Sequence, residues 1–197
     1  MAINVSKTRD MLVDVARQLF AKMGVDKTTM NDIAQASRKG RRTIYMYFKC
    51  KNDIYQAVVE TEMKKLYKVL ADVAAKKLPA DQKLIAFIYA RLDAVKATVF
   101  RNGTLKATFF RDVWKVEKAR KDFDMKEIEL IKLILSDGVS EGLFAMPDVE
   151  ITANVLHFAL KGLEVPYIRG LMGDTVLQRA QRKDNVMNLI FNGIKLK

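Results

Sequence analysis

A single cysteine, Cys50, leaves this 197-residue chain without an intramolecular disulfide and fits a reducing compartment. A single histidine, His157, excludes paired-histidine metal motifs of the HExxH kind. Three prolines and nine glycines punctuate the chain little, which favours long helices over many short strands. The longest apolar run, residues 84–90, is far too short to span a bilayer. The opening MAINVSKTRD has no apolar signal core. These absences predict a cytoplasmic protein with no membrane partner.

What is present is an ordinary globular composition, half apolar and 29% charged, with an uneven net charge of +12. Residues 1–50 hold 10 Lys and Arg against 4 Asp and Glu, and residues 51–197 hold 25 against 19. The first quarter therefore carries half of the positive excess. A basic segment of this kind suits a polyanionic partner, nucleic acid or an anionic membrane, with a solvated basic surface as the plain alternative.

Hydrophobic periodicity predicts an all-α protein of about nine helices. Leu12, Val15, Ala16, Leu19, Phe20 and Met23 mark a first helix over 7–23, with Ser6 as N-cap and Gly24 as C-terminal cap. A short second helix starts at Thr29, where Asp32 three residues on approximates a capping box. Ser37-Arg38-Lys39-Gly40 is the turn, and a third helix runs from Arg41 to Phe48 with Ile44 and Phe48 facing inward. Further helices are expected over 51–77, 84–100, around 105–114, 125–143, from Pro147 to about Val165, and over 175–194. This divides the chain into a three-helix head, 1–50, and a larger helical body, 51–197.

The head has the chemistry of a DNA-reading element. A recognition helix needs polar side chains that reach base edges, cations or hydroxyls for phosphates, and apolar residues that dock it on its own domain. Arg41 and Arg42 can fork onto guanine or phosphate, and Thr43 can touch a base or a thymine methyl. Tyr45 and Tyr47 offer hydroxyls to phosphates. Thr29 and Lys51 stand where helix N-termini favour anions. Arg38 and Lys39 suit phosphate contact or plain solvation, whereas Arg42 and Thr43 suit base reading. Phe48 reads as core, and Tyr45 as core and phosphate contact together.

The run Ile33-Ala34, then Thr43-Ile44-Tyr45-Met46-Tyr47-Phe48, then Lys51 and Ile54 resembles the helix-turn-helix of the TetR/AcrR family of bacterial repressors. The likeness runs without a gap from Leu19-Phe20 to Ile54, and Gly24 and Thr29 fall in family positions. It departs in the turn, where the family's Ala-Gly-Val-Ser type becomes Ser37-Arg38-Lys39-Gly40. Without glycine at 38 the left-handed turn conformation is harder to reach, and Gly40 is the expected substitute.

The resemblance implies a homodimer built on the last two long helices, a roughly palindromic operator in double-stranded DNA, and a small-molecule effector of unknown identity in an apolar cavity of the body. Aromatic side chains often line that cavity, which makes Phe87, Phe100, Phe109, Phe110 and Trp114 candidate ligand residues beside their simpler role as core. His157, on an otherwise apolar helix, is either a satisfied interior residue or a ligand contact. Control by a protein partner is the alternative to an effector. A small helical enzyme is disfavoured by the lack of paired catalytic or metal-ligand motifs, so no catalytic residue, metal ligand or cofactor is expected.

Overall fold

The computed structural model describes residues 2–102 and 113–171, without the side chains of 2–6 and 113–119. Every regular element among the described residues is a helix. They are α1 (Ala2–Met23), α2 (Met30–Ala36), α3 (Arg41–Tyr47), α4 (Lys51–Ala74), α5 (Ala80–Arg101), α6 (Val113–Ser140) and α7 (Val149–Ile168). The helices expected around 105–114 and over 175–194 lie outside the described residues, save for the start of α6.

Contacts divide the chain into two compact units, Met1–Lys64 with Thr98–Lys121 and Lys65–Ala97 with Asp122–Lys197. In the first unit, Leu12, Ala16 and Phe20 of α1 are fully buried with Ile33 of α2, Ile44 of α3 and Ile54 of α4. Each of the larger of these side chains stabilises the fold by about 1.5–3 kcal/mol through apolar burial. Phe20 meets Tyr55 edge to face, with ring centroids 6.0 Å apart. The four helices α1–α4 thus share one core, and α3 is docked through Ile44 and Phe48 as expected.

The second unit buries Leu70, Leu84, Phe87, Ile131, Ile134, Leu135, Phe144 and Leu160. Its helices are joined by buried or half-buried polar contacts. Lys83 Nζ donates to Asp137 at 2.9 Å, and Glu141 accepts the Ala80 backbone N–H at 2.8 Å.

Several boundaries differ from the sequence reading. Ser6 lies inside α1 rather than capping it, because the chain from Ala2 onward contains no helix breaker. α5 begins directly after Pro79, whose carbonyl accepts the Lys83 N–H at 2.9 Å. α6 starts at Val113, well before residue 125. The charge-rich stretch after Val113 lacks a clean apolar stripe, yet it is made of good helix formers. Asp148 caps α7 by accepting the Ile151 N–H at 2.8 Å, which places Pro147 outside the helix. Pro166 removes one amide donor without ending α7, which continues to Ile168.

Candidate nucleic-acid interface and a polar cluster in the body

α2 opens with a complete capping box. The Thr29 hydroxyl accepts the Asp32 N–H at 3.1 Å, and the Asp32 carboxylate accepts the Thr29 N–H at 2.8 Å and its hydroxyl at 2.7 Å. These bonds to Thr29 hold the Asp32 carboxyl below its ordinary pKa. The Thr29 side chain and its backbone N–H are thereby both engaged in the helix start.

The turn is closed by a Schellman motif. Lys39 N–H donates to Ala34 O and Arg38 N–H to Gln35 O, both at 3.1 Å. The pattern requires a left-handed residue between them, and Arg38 takes it at φ 52°. Gly40, expected to absorb this conformation, is instead extended at φ −65° and serves as the N-cap of α3. A non-glycine residue in this region is strained by about 1–2 kcal/mol.

Arg38, Lys39, Arg41 and Arg42 are all exposed, as is Lys49. From Ile33 to Asn52 the sequence holds no Asp or Glu. Among the described residues no carboxylate pairs with these cations, so their field is available to a polyanion. Thr43 is half-buried on α3. Tyr45 stands out at 48% exposure, whereas Tyr47 packs against the core. The sequence suggests that Tyr45 buries its ring as well as offering its hydroxyl; the period of α3 instead puts Tyr47 on the core beside Ile44 and Phe48. Met46, 76% exposed on the same helix, went unremarked and offers an apolar surface beside the cations.

Lys51 opens α4, and its ammonium donates to the carbonyls of Val25 at 2.7 Å and Asp26 at 3.2 Å. It thus ties the α1–α2 loop to the start of α4. Asp53 accepts the Lys49 and Cys50 backbone N–H groups at 2.9 and 3.3 Å. Thr28, fully buried, donates to the Gly24 carbonyl at 2.7 Å. Cys50 is a free, exposed thiol.

In the body, Phe87 is fully buried and Phe100 is 57% exposed. Phe109 and Phe110 lie outside the described residues, as does the Trp114 side chain, whose backbone belongs to α6. His157 is fully buried in a cluster that sequence reading missed. Its Nδ1 is 3.3 Å from Glu127 Oε2 and its Nε2 is 3.6 Å from Asp124 Oδ1, both on α6. Lys161 donates to the other Asp124 oxygen at 2.7 Å. Arg91 of α5 donates through Nε to the other Glu127 oxygen and through Nη2 to Glu164 at 2.9 Å. Burial disfavours the imidazolium, but the contacts to Asp124 and Glu127 outweigh it and raise the His157 pKa. Burial likewise opposes the Asp124 carboxylate, and His157 and Lys161 outweigh it, lowering the Asp124 pKa. The signal in the sequence was the stripe itself: Glu127 falls between Phe123 and Ile131, and His157 and Glu164 fall in register with Ala153 and Leu160.

Residues 12–58, the stretch that builds the first core and carries α2 and α3, match the family described as bacterial regulatory proteins, tetR family. Residues 12–58 thus form a helix-turn-helix domain of the tetR type. The relatives that the chain resembles over most of its length are transcriptional regulators. The chain is 22% identical to the transcriptional regulator QacR of Staphylococcus aureus over 79% of its own length and 83% of QacR. It is 27% identical to the transcriptional repressor KstR2 of Mycolicibacterium smegmatis, covering 73% and 70% of the two chains. Its fold is that of a transcriptional regulator from Cytophaga hutchinsonii, with a TM-score of 0.73 at 21% identity, over 95% and 98% of the chains. No helix among the described residues is long and apolar enough to cross a membrane.

Proposed function

We propose that this protein is a repressor that binds a roughly palindromic operator as a homodimer through α3 and is released by a small molecule held in its body. Residues 1–50 act as the DNA-binding domain and residues 51–197 as the ligand-binding and dimerisation domain. The observation that carries the reading is the row of exposed, uncompensated cations on the turn and α3, next to the exposed Tyr45. Arg38 and Lys39, in the turn, grip phosphates. Arg41, Arg42 and Thr43, at the start of α3, reach into the major groove. Tyr45, Tyr47 and the N-terminal ends of α2 and α4 at Thr29 and Lys51 set the register on the backbone. The description of KstR2 as a repressor supports the sign of the regulation.

The dimer rests on α7. Ile151, Val155, Phe158 and Val165 form an exposed apolar stripe along one face, 64%, 61%, 62% and 44% accessible. Two copies packed on such stripes would build a helical bundle and hold the two α3 helices about one DNA turn apart. Among the candidate ligand residues whose side chains are described, Phe87 is the buried aromatic one, and Phe109, Phe110 and Trp114 remain candidates beside it.

Duplexes selected from a random pool by the purified chain provide the test. They should contain inverted half-sites, and the double variant Arg42→Ala, Tyr45→Ala should lose them while remaining dimeric in sedimentation. Unchanged binding by that variant would remove α3 from the interface.

A further inference from the structure

The cluster around His157 places three unused ligand atoms together in the interior of the second unit. Glu127 Oε2 and both ring nitrogens of His157 are buried without a hydrogen-bond partner. The distances of 3.3 and 3.6 Å to the carboxylates are close, but neither is aligned as a hydrogen bond. Buried polar atoms of this kind are costly, and an ion is one way to satisfy them.

We propose that Asp124, Glu127 and His157 bind a divalent transition-metal ion of the Zn²⁺ or Mn²⁺ class, a site that goes beyond the DNA-binding and effector reading. Asp124 and Glu127 lie three positions apart on α6 and so project from one face, toward His157 on α7. One ligand atom from each of the three residues lies within 4.8 Å of the others. Ligands held about 2.0–2.2 Å from one ion stand about 3–4.4 Å apart, so the trio needs a contraction of a few tenths of an ångström. Glu127 is nearer Nδ1 and Asp124 nearer Nε2. Capture therefore turns the imidazole until one nitrogen stands between the two carboxylates.

The surroundings are those of a supported site. Each carboxylate has its second oxygen held by a cation, Glu127 by Arg91 and Asp124 by Lys161, and these fix the direction of the free oxygen. Charge closes as well: a divalent ion offsets Asp124 and Glu127, Arg91 offsets Glu164, and Lys161 lies at the half-exposed rim. One imidazole nitrogen with two carboxylate oxygens favours Zn²⁺, Mn²⁺ or Fe²⁺ over thiophilic Cu⁺ and over Mg²⁺, which prefers oxygen alone. Three protein ligands leave a further position for water. A proton on His157 competes with the ion for the same lone pair.

The chain's only histidine makes the test direct. Full-length protein stripped with a chelator is titrated with Zn²⁺ while the imidazole Hε1 resonance is followed by NMR, and with Co²⁺ while visible absorption is followed. The expected result is one ion per chain, a saturating shift of that resonance, and at least tenfold weaker binding in Glu127→Gln and Asp124→Asn. A resonance that Zn²⁺ leaves in place, and that responds only to pH, overturns the site and makes the proton its occupant. Binding as tight in Glu127→Gln as in the parent chain overturns it equally. The resonance of the parent protein decides the matter even where a variant does not fold.

Discussion

The backbone N–H of Lys39 donates to the carbonyl of Ala34 at 3.1 Å, and this bond forces Arg38, between them, into the left-handed region at φ 52°. The same pattern closes α6, where Leu143 N–H reaches Gly138 O, and α7, where Leu171 N–H reaches Pro166 O. At those two ends the left-handed residue is glycine, Gly142 at φ 71° and Gly170 at φ 71°. Among the described residues, only the helix-turn-helix puts a cation there. Arg38→Gly should stabilise the protein by about 0.5–1 kcal/mol in urea denaturation, the relief of strain being partly offset by the greater freedom of the unfolded glycine. The same change should lower the dependence of operator affinity on salt by about one unit of logarithmic slope if Arg38 contacts a phosphate. An unchanged slope would reduce Arg38 to a strained surface residue.

Lys51 separates a structural from a DNA-binding role. Its ammonium holds the Val25 and Asp26 carbonyls across 26 and 25 residues of sequence. Lys51→Met keeps the stem and removes the donors. It should cost about 1–2 kcal/mol, since hydrogen bonds to a charged group outweigh neutral ones and this one is partly solvated. Thermal unfolding measures the loss in the absence of DNA. A stable variant with weakened operator binding would instead assign the ammonium to phosphate.

The first unit was largely legible from the sequence because its local signals agree with one another. Apolar spacing placed Ile33, Ala34, Ile44 and Phe48 inside, and the Thr29–Asp32 spacing announced the capping box that forms. The turn misled, because the open backbone freedom of Gly40 says nothing about which residue the Schellman bonds will trap. The body was less legible. Periodicity counts a charged residue as solvent-facing, yet Arg91, Glu127 and His157 complete apolar stripes and neutralise one another across three helices. One helix can show a charged residue standing on its apolar stripe, but which residue it meets is non-local and is not written in that helix.

Gly138 is a position where packing opposes helix propensity. A Cβ there would lie 2.1 Å from the Phe144 ring, which is itself buried against α6 just beyond its end. Alanine is the better helix former by about 1 kcal/mol. The overlap with a buried aromatic should nevertheless make Gly138→Ala destabilising by about 1–3 kcal/mol. Gly138→Ala combined with Phe144→Leu should recover part of that loss. A Gly138→Ala protein as stable as the parent would show that Phe144 can move aside.

The capping box makes one part of the stability depend on acid. The Asp32 carboxyl is held below its ordinary value by its bonds to Thr29, so its folded pKa is lower than its unfolded pKa. The stabilisation is therefore fully present above the ordinary carboxylate value and is lost as pH falls through the lowered folded value. Thr29→Ala should cost about 1 kcal/mol at neutral pH through loss of the cap. Below the folded pKa of Asp32 the gap between variant and parent should narrow, because the protonated acid no longer rewards the hydroxyl. Melting temperatures of the two proteins across the acid range check this, and a constant gap would show that Asp32 does not take part.

The stripe on α7 yields the most direct test of assembly. Ile151 and Phe158 are seven residues apart, on one face, and each is more than 60% exposed in the single chain. Large apolar side chains at that exposure and spacing are a packing surface without its partner. Ile151→Glu and Phe158→Glu each put a charge at the centre of the proposed bundle, where a like charge from the second copy would face it across the two-fold axis. Each substitution should turn dimer into monomer at micromolar concentration in sedimentation or light scattering. It should leave the helical content of the chain unchanged, since the residues contribute little to the core of one copy. Operator binding should fall with the dimer, because a single α3 engages one half-site only. A monomeric variant that binds the full operator as tightly as the parent would separate assembly from DNA recognition and refute the proposed arrangement.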